Sequence, residues 1–112
     1  MAITLEKIEG RWLIEYMDAW GDDYLHMETR AYIEIKPDGS GEFQFGLVHG
    51  YFYGGVSAFK KQPSRFEFTW EGNAECDDAS GYGYVCECKK DVIEGYLIIG
   101  NGDKSGFMAV RE

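Results

Sequence analysis

Apolar and polar residues alternate one by one through most of this 112-residue chain. That period of two constrains the fold more than any other feature. Successive side chains point to opposite faces in a strand, whereas one face of a helix recurs every three to four residues. The run Arg65 to Glu71 is the clearest case: Phe66, Phe68 and Trp70 alternate with Arg65, Glu67, Thr69 and Glu71. The same period predicts strands over 11–19, 29–36, 42–48, 51–59, 82–88, 93–99 and 105–111. Pro37-Asp38-Gly39-Ser40-Gly41 reads as a tight turn, since proline presets one backbone angle and glycine accepts positive φ. Only the first eight or so residues suit a short helical turn. The expected fold is all-β, an eight-stranded antiparallel up-and-down barrel occupying residues 1–112 as one domain. Closure removes the exposed strand edges that invite aggregation. A two-sheet β-sandwich is the alternative built from the same strands.

Composition narrows the function. The net charge of −9 argues against nucleic acid and anionic membranes as partners, because both need a basic footprint. No run approaches the roughly 20 apolar residues of a membrane-spanning helix. The opening MAITLEKIEG shows no secretory signal pattern. Cys86 and Cys88 stand two apart on an expected strand, too poorly placed for a disulfide, and the third cysteine leaves the count odd. Reduced thiols and a cytoplasmic location are therefore expected.

Gly10-Arg11-Trp12 resembles the Gly-x-Trp that opens the barrels of the calycin superfamily, which includes lipocalins, fatty-acid-binding proteins and avidins. The resemblance implies that Trp12 closes the barrel floor and packs against a basic residue late in the last strand, a place held here by Arg111. The chain is shorter than typical lipocalins and lacks their disulfides and further motifs. It also lacks the helical lid of fatty-acid-binding proteins and any biotin-site pattern. Stretches such as Gly81-Tyr82-Gly83 and Gly102-Asp103-Lys104-Ser105-Gly106-Phe107 are similar to uncharacterised bacterial proteins, which bring no function with them.

If Trp12 points inward, alternation sends Tyr16, Ile33, Ile35, Phe43, Phe45, Phe66, Phe68, Trp70, Tyr82, Tyr84, Leu97 and Phe107 inward too. An eight-stranded barrel is just wide enough for side chains to fill it. So many rings predict a filled interior rather than a lipid-sized cavity. Tyr32, Phe52, Tyr96 and Ile98 are expected on the solvent side.

In a meander, alternate turns share an end. One end should gather Asp22, Asp23, Glu28, Glu75, Asp77, Asp78 and Asp103 with both histidines, on the loops 20–28, 49–50, 72–80 and 100–104. The other should gather Lys7, Arg11, Lys36, Lys60, Lys61, Arg65, Lys89, Lys90 and Arg111. The acidic end, corresponding to a calycin mouth, carries the candidate ligand-binding residues Trp20, Tyr24, His26, His49 and Tyr51. Its charge selects cationic ligands or a basic protein surface, and its rings suit a small apolar ligand.

No catalytic residue, metal ligand or cofactor is assigned. Glu75-Cys76-Asp77-Asp78 does not match a calcium loop, Cys86-x-Cys88 has no second pair for zinc, and no phosphate-cradling or nucleophile motif is present. The expected function is a non-enzymatic binding module for a small ligand or a partner at the acidic end. One alternative is a protein-interaction domain, acting as a homodimer or an acidic inhibitor. The other is a small barrel enzyme using His26 or His49.

Overall fold

Each alternating run becomes a strand. The computed structural model describes residues 3–59, 62–100 and 102–112. A helical turn, α1 (Leu5–Ile8), leads into β1 (Gly10–Met17), and a second turn, α2 (Asp22–Leu25), precedes β2 (Tyr32–Ile35). Then follow β3 (Ser40–Phe45), β4 (Val48–Phe59), β5 (Gln62–Ala74), β6 (Asp77–Lys89), β7 (Val92–Ile99) and β8 (Asp103–Arg111). The strands pair antiparallel in chain order, and β1 pairs back onto β8, with Trp12 opposite Arg111 and Ile14 opposite Ala109. That seam closes the barrel and excludes the sandwich.

The interior is filled with side chains. Trp12, Ile33, Ile35, Phe43, Phe45, Phe66, Phe68, Trp70, Leu97 and Phe107 are all buried in one cluster. Their rings meet in tilted and edge-on pairs, for example Phe43 with Trp70 at 5.1 Å and Phe52 with Phe68 at 4.6 Å. Such geometries suit the ring quadrupole and add about 0.5–1.5 kcal/mol per pair beyond area burial. Inward glycines on neighbouring strands make room for the rings. A Cβ placed on Gly83 would stand 2.6 Å from Phe68 Cζ and 2.7 Å from the Tyr96 carbonyl oxygen, so only glycine lets that ring lie flat.

This pairing overturns four of the expected orientations. Gly81 and Gly83 take the inner face of β6, so Tyr82 and Tyr84 point outward; Tyr82 is 55% exposed. On β4, Gly50 packs inward against Phe43 and Trp70, placing Phe52 on the same inner face at 4% exposure, with Tyr51 and Tyr53 outside. Tyr16 also points outward, because a bulge between Ile14 and Tyr16 shifts the register and gives Met17 the inner position. In each case the phenol, with its polar hydroxyl, faces water and a wholly apolar group fills the core.

The strands β4, β5 and β6 have 12, 13 and 13 residues, against 4 in β2. His49, Gly50, 72–74 and 77–80, expected in loops, belong to these strands. The remaining described connections keep the expected polarity: 18–31, 46–47, 75–76, Gly100 and Gly102 at one end, 36–39 and 90–91 at the other. Lys60 and Lys61 lie outside the described residues.

The inside–outside assignment is directly testable. Phe68→Ala is expected to cost about 3–5 kcal/mol in urea unfolding, as buried ring deletions do. Tyr82→Ala, one pleat away on the outer wall, should stay within about 0.5 kcal/mol of the parent.

Candidate functional site

At the acidic end, the connection 18–31 folds back over the barrel. Asp18 N–H donates to the Gly106 carbonyl at 3.1 Å, and Ala19 N–H donates to the buried Ser105 hydroxyl at 3.0 Å. These bonds aim the chain inward, and α2 then lays its side chains onto the end of the core. Leu25 is fully buried. The Trp20 ring lies 4.9 Å from Phe45, and the Tyr24 ring stacks with Trp20 at 6.2 Å. Tyr24 rests against Gly46, whose N–H donates to the Leu25 carbonyl at 2.8 Å. The Tyr24 hydroxyl also accepts from Leu47 N–H at 3.4 Å. His26 Nδ1 accepts from Ala31 N–H at 3.1 Å, holding the return of the connection to β2. Trp20, Tyr24 and His26 therefore sit together, packed and bonded as a plug.

His49 and Tyr51 lie elsewhere, on the outer face of β4. His49 Nε2 is 2.9 Å from Glu42 Oε2, and the Tyr51 ring meets the imidazole edge-on at 4.8 Å. The hydrogen bond from His49 leads the causes that hold the Glu42 carboxyl below its ordinary range, and a bond from Tyr32 adds to it. Burial pushes the Tyr32 phenol up, as does the neighbouring Glu42 charge. Tyr32 is covered by Arg11, whose guanidinium carbon lies 3.9 Å from the ring centroid. The structure thus separates the five expected ligand-binding residues into a plug and a wall.

The wall continues from Tyr51 across β5 and β6. Register places Tyr51 beside Glu71 and Ser80 in one row, and Tyr53 beside Thr69 and Tyr82 in the next. An open depression of about 670 Å³ follows the first row to Ile99 and Gly100 at the acidic end. A second, of about 390 Å³, runs over Thr69 toward Arg65 and Tyr84. Tyr51, Tyr53 and Tyr82 are 60%, 67% and 55% exposed, so three large rings border one groove. Tyr53, Tyr82 and Glu71 line this groove but are not among the candidates expected from sequence. Their one signal was the polar face of Glu67, Thr69 and Glu71 on β5, which marked that side as solvent.

Among the described residues, no group of three or more His, Cys, Asp or Glu converges as a metal site. No helix among them is long and apolar enough to cross a membrane. Comparison with protein-family models, curated proteins and solved structures gave no match to this chain.

The Glu42–His49 contact carries a pH prediction. A carboxyl whose folded value is lowered stabilises the fold above its ordinary value and loses that contribution as pH falls through the lowered one. Thermal unfolding followed by circular dichroism should therefore show Glu42→Gln less stable than the parent at neutral pH. The gap should narrow as the pH falls below 4.5, the ordinary glutamate value.

Proposed function

We propose that this protein is a calycin-like, non-enzymatic binding module whose recognition surface is the outer wall of β4–β6. The observation that carries the reading is the cluster of Tyr51, Tyr53 and Tyr82, three exposed rings bordering one groove. Tyrosine is enriched at recognition surfaces because it presents a large rigid face and a polar tip at low entropic cost. Support for the wall over the barrel mouth comes from Trp20 and Tyr24, whose rings lie on Phe45. The calycin kinship rests on Trp12 and Arg111, whose guanidinium carbon lies 4.2 Å from the indole. A reducing, cytoplasmic setting suits Cys76 and Cys88, which carry free thiols.

A second reading, a small barrel enzyme, draws on the His49–Glu42 contact, since a carboxylate-paired imidazole is a common acid–base device.

Titrating the ¹⁵N-labelled protein with a panel of monosaccharides, nucleosides, amino-acid amides and short peptides tests both readings. Amide shifts should cluster on Tyr51, Tyr53, Thr69, Glu71, Ser80 and Tyr82. Shifts confined to Trp20, Tyr24 and Phe45 would return the site to the mouth. Chemical conversion of any panel member, abolished by His49→Ala, would support the enzyme.

A further inference from the structure

We propose that the occupant of this wall is an extended, arginine-bearing segment of a basic protein partner. Its guanidinium groups lie on Tyr51, Tyr53 and Tyr82, and Glu71 serves as their counter-ion. The inference deepens the binding-module reading and rests on it.

The fold already uses this recognition device several times. Arg11 lies over Tyr32 and meets Glu34 at 3.0 Å. Arg65 lies 4.3 Å from the Tyr84 centroid and meets Glu67 at 2.5 Å. Arg111 lies over Trp12 and is 3.4 Å from Asp91. In each case one arginine covers a ring and is neutralised by a carboxylate beside it. Lys104 also stands 5.7 Å from the Tyr96 ring. Across the groove the same two partners recur without the cation. Tyr51 stands in register with exposed Glu71, and Tyr53 and Tyr82 flank them one row away. Among the described residues no basic side chain covers these three rings or pairs with Glu71.

The spacing suits an extended chain. The rows of Tyr51 and Tyr53 are two residues apart along β4, about 7 Å at strand rise. Alternate side chains of an extended peptide have the same separation. Arginine fits better than lysine, because its planar guanidinium stacks on a ring while donating to a carboxylate. A net charge of −9 draws basic partners and opposes a second, equally acidic copy of this chain.

The test uses a fluorescein-labelled Gly-(Arg-Thr)₄ peptide, with lysine and citrulline counterparts, in anisotropy titrations at low salt against the whole protein. Citrulline keeps the shape of arginine without its charge. The arginine peptide should bind more tightly than the lysine peptide and weaken as salt rises, and the citrulline peptide should bind least. Tyr53→Ala and Tyr82→Ala should each weaken arginine binding about two- to five-fold, the range for an exposed cation–π contact. Glu71→Gln should weaken it comparably, and Tyr16→Ala, on an exposed tyrosine of β1, should leave it unchanged. Equal arginine and lysine affinities, insensitive to the tyrosines, would reduce the effect to charge alone and overturn the inference. Tighter binding of citrulline, or of a neutral panel member, to these same residues would also overturn it while leaving the binding module standing. If neither the peptides nor the panel engage the wall, both readings fall.

Discussion

The guanidinium of Arg111 ties together the parts on which the barrel's closure depends. It lies over the Trp12 indole and donates to the carbonyls of Lys7 at 2.9 Å and Glu9 at 2.9 Å. Those carbonyls belong to the segment around α1, so a single side chain of β8 fastens the leading helical turn across the first strand. Trp12 completes the clasp by donating its Nε1–H to the Ile8 carbonyl at 2.8 Å. Gly10 is required by the same packing: its φ is +117°, and a Cβ there would stand 2.8 Å from Arg111 Nη1. Charge-assisted hydrogen bonds contribute about 1.5–3 kcal/mol each and less where water competes. A stacked cation adds about 0.5–2 kcal/mol. The Gly-x-Trp sequence and the late arginine are thus two halves of one floor, and the β1–β8 seam lies between them.

With the floor fastened, the remaining interior is a packing problem solved by rings and glycines. Phe43, Phe52, Phe68 and Trp70 point into the barrel, and Gly41, Gly50, Gly81 and Gly83 receive them from adjacent strands. The plug of Trp20, Tyr24 and His26, together with the buried Leu25, covers the far end. A consequence follows for the exterior. On β4 and β6, glycines and apolar side chains facing inward put the tyrosines on the outside. Filling the core and exposing Tyr51, Tyr53 and Tyr82 on the wall therefore have one cause.

How legible this was in the sequence varied by strand. On β5, Phe66, Phe68 and Trp70 alternate with charged and hydroxyl residues, so only one orientation buries the apolar set. The same holds for Ile33 and Ile35 on β2 and for Phe43 and Phe45 on β3. On β6 both alternating sets are ambiguous, tyrosines against glycines, and the answer depends on the cross-strand neighbours of Gly81 and Gly83. A bulge at Ile14–Tyr16 is invisible to a strict period of two. Of the residues along the groove, sequence singled out Tyr51 alone, and its neighbours Tyr53, Tyr82 and Glu71 emerge only from strand register. Trp20 and Tyr24 do lie at the acidic end, but their packing onto Phe45 cannot be read from a loop of mixed charge and aromatics.

Buried side chains fill the described interior of the barrel, and the proposed recognition falls to its outer wall for that reason. The most direct test is titration of the native protein with the neutral apolar dye N-phenyl-1-naphthylamine, following its emission and energy transfer from tryptophan. The native state is expected to show no saturable binding, with dye emission appearing only as the protein is unfolded. Saturable, stoichiometric binding with transfer from the buried Trp12 and Trp70 would contradict it.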